Sequence, residues 1–189
     1  TGVIGVPLPA GRIVHAIPGL VKTASPGGCE DFAAAIMTTD TFPKVVALTD
    51  TVSGKKVKVC GVAKGAGMIM PDMATMLAFI VTDAAVEQRL LKRLVGQHAA
   101  ATFNNISVDG DMSTNDSVIV LANGASSVPV AGTGSQSGRV FFRLLYEVMQ
   151  RLACMIVQDG EGATKLIRIQ VKGARTAGEA KKAAMTVAN

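Results

Sequence analysis

Residues 64–80, KGAGMIMPDMATMLAFI, join an irregular backbone path to a small hydroxyl residue at the mouth of an apolar run. Gly65, Gly67 and Pro71 punctuate the path. Thr75 then stands directly before 76–82, a run short and apolar enough to be a buried strand. Most threonines in such a place are strand formers or caps. The chemical reading starts from the weakness of a threonine hydroxyl as a nucleophile. It needs a base, and the nearest one is its own α-amine, which exists only if the chain is cut between Ala74 and Thr75. Attack of the Thr75 hydroxyl on the Ala74 carbonyl forms an ester, and hydrolysis of that ester frees the new N-terminus. Lys64 can offer positive charge to a substrate carboxylate or to an oxyanion, although a lone lysine is more often a solvated surface group. The Gly-Lys-Ser/Thr order of a phosphate-binding loop is absent.

Other polar clusters are less informative. The stretch DGDMSTND, 109–116, has the acidic rhythm of a calcium loop, but Thr114 stands where that loop needs glycine and Val120 where it needs an acidic residue. Its short polar side chains suit a hydrogen-bonded turn, structural or set behind Thr75. His15 and His98 lack partner spacing for a metal or a triad and read as surface or cap residues. Cys29, Cys60 and Cys154 are odd in number, far apart and without a CxxC. That pattern fits a reducing compartment and disfavours a disulfide framework or zinc site. Cys60 and Cys154 read as small buried hydrophobes, and no metal is expected.

The elements that must position these residues can be read from periodicity. The first 28 residues are dense in Gly and Pro, with a short helix expected at 11–16. A helix is expected at 30–37 with Phe32, Ala35 and Ile36 inward. Strands are expected at 45–48 and 56–62, joined as a hairpin through turn residues 50–54. After the strand at 76–82, Thr82 or Asp83 can cap a helix reaching about Thr102, with Leu90, Leu91, Leu94 and Val95 on one face. A strand at 118–122, a Gly/Ser-rich loop at 123–138 and a helix at 139–158 follow, the helix placing Phe141, Leu145, Val148, Leu152 and Met155 on one side. Residues 165–172 alternate as an extended segment does, and one more helix starts at 177. The order implies a mixed α/β fold, one domain over 1–189, with a sheet covered by helices.

Composition narrows the function classes. The 189 residues are 49% hydrophobic and 17% charged, as in a well-buried globular domain, and only 4% aromatic, so Ala, Val, Ile, Leu and Met must build the core. A net charge of +5 favours small anionic partners such as carboxylates. The densest basic stretch, Lys55, Lys56 and Lys58, has no interleaved aromatic, which argues against nucleic acid. No apolar run approaches the roughly 18 residues of a membrane span, and no secretory signal opens the chain. The start, TGVIGVPLP, lies inside a Gly/Pro motif without Met, as expected of an internal piece of a longer protein.

Five stretches in order resemble one family. AKGAGMIMPDMATMLAFIVTDA around Thr75 is similar to the cleavage-site signature of the ornithine acetyltransferases. TGVIG at the start, MTTDTFPK at 37–44, ISVDGDMSTNDSV at 106–118 and DGEGATKLI at 159–167 resemble further segments of that family. The resemblance implies a layered sheet-and-helix fold like that of amidohydrolases with N-terminal nucleophiles, incomplete here at both ends. It implies self-cleavage between Ala74 and Thr75, giving an α-chain part (1–74) and a β-chain part (75–189), with Thr75 as nucleophile. By the same resemblance Thr1 and Gly2 form the oxyanion hole, and Thr38, Lys64 and Glu161 contact substrate, with Thr39 and Thr41 as alternatives within MTTDT. The implied reaction moves acetyl from N-acetylornithine onto threonine and then to glutamate, in arginine biosynthesis. No cofactor is implied, although some members also take the acetyl group from acetyl-CoA. The family's mature form is an α2β2 heterotetramer, cytoplasmic, or in the mitochondrial matrix of a eukaryote. Relative to the family the chain lacks its N-terminal and C-terminal parts, and with them some substrate contacts. Two other readings stay open at this stage: a related threonine-nucleophile amidohydrolase or aminopeptidase, with water as acceptor, and a catalytically dead metabolite-binding protein.

Overall fold

The computed structural model describes residues 5–69, 76–110, 113 and 115–189. Thr1, Gly2, Ala74 and Thr75 lie outside the described residues. A four-stranded sheet forms the centre, with strands in the spatial order Lys44–Val52, Lys55–Lys64, Leu77–Thr82 and Ser117–Ala122. Strands β1 (Lys44–Val52) and β2 (Lys55–Lys64) make the expected hairpin, in register from Lys44 opposite Ala63 to Val52 opposite Lys55. Its two-residue turn, Ser53-Gly54, has φ of 49° and 79°. Positive φ at both positions matches the right-handed twist of the flanking strands. Strand β3 (Leu77–Thr82) pairs antiparallel with β2, and β5 (Ser117–Ala122) pairs parallel with β3.

One face of the sheet is covered by α4 (Gln136–Gln158), whose buried stripe includes Phe141, Leu145, Val148, Leu152 and Ile156. Ser135 caps it by accepting the Gly138 N–H at 3.0 Å. Each fully buried side chain of that stripe contributes about 1.5–3 kcal/mol. The contact is close because β2 offers Gly61 there. A Cβ on Gly61 would fall 2.7 Å from both Leu152 Cδ1 and Val148 Cγ1. Helix α3 (Gln88–Ala101) packs beside α4 through Leu90, Leu94 and His98. On the opposite face α2 (Cys29–Ala35) covers one end, with Phe32 edge-on to Phe79 at 5.2 Å. Farther along that face Val81, Ile119 and Leu121 are exposed.

Several expectations need correcting. The first helix, α1 (Ala10–Thr23), is much longer than 11–16 and runs through Pro18. In α2 the inward residue is Ala33, whereas Phe32 and Ala35 are exposed. The third helix does not start at a Thr82 or Asp83 cap. Both side chains are taken by β2, Thr82 Oγ1 donating to the Lys58 carbonyl at 2.7 Å and Asp83 accepting the Lys58 N–H at 2.8 Å. A short strand β4 (Ala85–Val86) intervenes and pairs with β6 (Pro129–Val130), inside the stretch expected to be all loop. Residues 165–172 alternate in sequence but form no strand, and Ile167 is 75% exposed. Alternation alone makes no ladder without a neighbouring strand to bond. The last helix, α5 (Ala177–Ala188), is capped by Thr176, which accepts the Glu179 N–H at 3.2 Å. Among the described residues no helix is long and apolar enough to cross a membrane.

Candidate active site

Of the candidates, Lys64, Thr38 and Glu161 fall among the described residues, and they gather at the end of β2. The pleat puts Lys64 on the same side as Cys60 and Val62, the side facing α2. The chain leaving α2 then brings Thr38 to it, and Lys64 Nζ donates to Thr38 Oγ1 at 2.8 Å. Lys64 is 6% exposed, so its charge is held in place while Thr38 faces solvent. Thr41, an alternative within the same motif, turns away: its N–H and hydroxyl both donate to Asp159.

Glu161 arrives from the far end of α4. Its N–H donates to the Ala66 carbonyl at 2.7 Å, and its carboxylate lies against Gly67, where a Cβ would come within 2.7 Å of Glu161 Cδ. The run 64–67 therefore carries Lys64 at one end and touches Glu161 at the other. One cation and one anion beside a short glycine-lined strip match the two charges of an amino acid.

Two carboxylates of the 106–118 stretch hold the chain on either side of residues 70–75. Asp109 accepts the N–H groups of Met68 and, at 2.8 Å, of Ile69. Asp116 Oδ1 accepts the Met76 N–H at 2.5 Å, and the Met76 carbonyl accepts from Ser117 N at 3.0 Å. Asp116 Oδ2 is buried with no hydrogen-bond partner among the described residues. Burial pushes the Asp116 carboxyl up to about 6, against the opposing pull of the Met76 N–H and the Lys64 charge.

Sequence reasoning missed the ions beneath the site. Lys44 is fully buried, with its Nζ 2.6 Å from Asp40 Oδ1 and 2.5 Å from Asp159 Oδ2. Burial works against both carboxylates. The Gly65 N–H, Lys44 and the Thr38 N–H outweigh it at Asp40, and Lys44 with Thr41 outweighs it at Asp159, so both lie below the usual range. The signal was present in MTTDTFPK and DGEGATK, but a buried lysine has the same letter as a solvated one.

His98, expected as a surface or cap residue, lies in the last turn of α3 but is 2% exposed, and packs edge-on to Phe142 at 4.3 Å and to Tyr146 at 5.5 Å. Burial lowers its pKa, against a backbone hydrogen bond at Phe142. It lines a cavity of about 750 Å³ with Gln97, Arg139 and Tyr146, away from Lys64. Cys60 and Cys154 are only partly buried. Cys29 and Cys60, distant in sequence, bring their thiols to 3.9 Å, and burial together with Cys29 raises the Cys60 thiol to about 11.

The ArgJ family matches residues 1–189. The arginine biosynthesis bifunctional protein ArgJ of Geobacter sulfurreducens is 56% identical over 189 residues, covering 100% of this chain and 48% of that protein. The protein of the same name from Symbiobacterium thermophilum is 50% identical over 187 residues, 99% of this chain and 46% of that one. The crystal structure of the arginine biosynthesis bifunctional protein ArgJ from Bacillus halodurans superimposes with a TM-score of 0.53 at 39% identity, over 55% of this chain and 48% of that chain. The chain thus spans about half the length of these relatives.

Proposed function

The chain belongs to the ArgJ family, the ornithine acetyltransferases, and from that premise we propose that it carries the nucleophile half of an enzyme moving acetyl from N-acetylornithine to glutamate. The atomic observation that carries this reading is the Lys64–Thr38 hydrogen bond beside Glu161. That pair supplies a cation and a hydroxyl for the substrate carboxylate, and Glu161 an anion for its ammonium.

The chemistry begins with maturation. Thr75 Oγ attacks the Ala74 carbonyl; the C–N bond breaks as an ester forms, its nitrogen taking the hydroxyl proton to become the Thr75 α-amine, and water then hydrolyses the ester to leave a carboxylate on Ala74 and the free Thr75 hydroxyl. That amine takes the proton of its own hydroxyl in each later cycle. The hydroxyl oxygen adds to the acetyl carbon of N-acetylornithine, and the oxyanion is held by Thr1 and Gly2. The C–N bond breaks, ornithine leaves with the proton, and acetyl remains on Thr75 as an ester. The glutamate α-amine attacks that ester and leaves as N-acetylglutamate, restoring the hydroxyl. Acetyl-CoA can load the same threonine, as the word bifunctional in the relatives' names suggests. The whole enzyme assembles as α2β2 and works in the cytoplasm.

The test is the intact mass of the full-length protein under denaturing conditions, wild type beside Thr75→Ala. Two fragments with Thr75 as a new N-terminus, absent in the variant, are expected. Acetyl transfer from N-acetylornithine that accelerates when glutamate is added separates a transferase from a hydrolase. A single uncut chain in both proteins would sink the self-processing claim.

A further inference from the structure

The charged cluster beneath the site ties three distant segments to one cation. Lys44 joins Asp40 and Asp159, although 115 residues separate it from the latter. Burying one ammonium with two carboxylates is unfavourable unless the remaining lone pairs are satisfied. Here they are satisfied by groups next to the proposed substrate residues. Asp40 accepts the N–H of Thr38 at 3.2 Å and the N–H of Gly65, the neighbour of Lys64, at 2.7 Å. Asp159 stands two residues before Glu161 and accepts the Thr41 N–H at 2.9 Å. The Lys44 ammonium also lies 4.9 Å from the centre of the Phe42 ring. If this volume served packing alone, apolar side chains would fill it at least as well. What the ions add is a fixed geometry among 38–41, 64–67 and 159–161.

We propose that Lys44, acting through Asp40 and Asp159, is the positioning residue that sets the spacing of Thr38, Lys64 and Glu161, and hence the affinity for the amino-acid substrates. The claim rests on the acetyltransferase reading. Lys44 itself is sealed from solvent, so its effect passes through its two carboxylate partners.

The test is steady-state kinetics of the full-length enzyme carrying Lys44→Met or Asp159→Asn, with self-cleavage and Tm measured alongside. A folded variant is expected to cleave itself completely, to raise KM for N-acetylornithine about tenfold, and to keep kcat within about threefold. If Lys44→Met fails to accumulate folded, Asp159→Asn decides, because it leaves Lys44 paired with Asp40. A KM rise under about threefold in a folded variant overturns the proposal whatever kcat does, since loss of folded molecules lowers apparent kcat without moving KM. A wild-type enzyme that moves no acetyl to glutamate would overturn the functional reading, and this claim with it. An active wild type with an unmoved variant KM would overturn this claim alone.

Discussion

Asp116 grips the backbone N–H of Met76, the residue immediately after Thr75, at 2.5 Å. Its counterpart Asp109 grips Met68 and Ile69 on the other side of residues 70–75, and Val108 N adds a bond to the Ile69 carbonyl at 2.7 Å. Met68 has φ of 56°, a left-handed conformation that costs a non-glycine residue roughly 1–2 kcal/mol. The Asp109 bond to its N–H helps hold it there.

If these carboxylates orient the segment for self-cleavage, removing either slows maturation. In the full-length protein Asp109→Ala and Asp116→Ala are expected to slow cleavage about tenfold or more. The Asn variants keep an acceptor oxygen and fall between. A time course of fragment masses reads the effect, and cleavage of Asp116→Ala at the wild-type rate would remove the positioning role.

The same residue sets a pH dependence of stability with a definite sign. The folded Asp116 carboxyl, at about 6, lies above its unfolded value of 3.8. The folded state therefore holds the proton more tightly, and this group's contribution is lost as pH rises from about 4 through 6. Asp40 and Asp159 act in reverse: their depressed values contribute stability above 3.8 that is lost as pH falls through their folded values. His98, lowered from 6.5, also loses stability as pH falls below 6.5 and so masks Asp116 in a single melt. The difference in Tm between Asp116→Asn and wild type isolates the carboxylate. It is expected to shift in favour of the variant between about pH 5 and about pH 8. A flat difference would show that Asp116 is not held near 6.

Gly67 separates substrate affinity from stability. The atoms nearest an added Cβ are those at the end of the exposed Glu161 side chain, which can swing away. Gly67→Ala is expected to leave Tm within about 1 °C of wild type, as for an exposed change worth under about 0.5 kcal/mol. KM for N-acetylornithine is expected to rise about threefold or more as the Glu161 carboxylate moves. An unchanged KM would take Glu161 out of the substrate site.

Short-range features of the chain were legible without coordinates because they rest on local rules. The hairpin follows from turn residues expected at 50–54, although the strands run on to Val52 and from Lys55 and only Ser53-Gly54 makes the turn. The buried stripe of α4 follows from apolar residues recurring at helical spacing. The family follows from five ordered motifs, and with it the candidates Thr75, Lys64, Thr38 and Glu161. Where local rules failed, a long-range partner, gained or lacking, was responsible. Thr82 and Asp83 look like caps but are taken by Lys58 on β2. Residues 165–172 alternate like a strand but pair with no strand among the described residues.

The hairpin, the long helix and membership of the ArgJ family could all be read along the chain, since periodicity, turn residues and motif order are properties of neighbours in sequence. Folding in three dimensions was needed to bring Lys64 to Thr38 rather than water, to bury Lys44 between two carboxylates, and to pack His98 against Phe142 and Tyr146. The physical reason is that a charge's role depends on its surroundings. Those surroundings come from segments as far as 115 residues away, brought together by packing that no local pattern records.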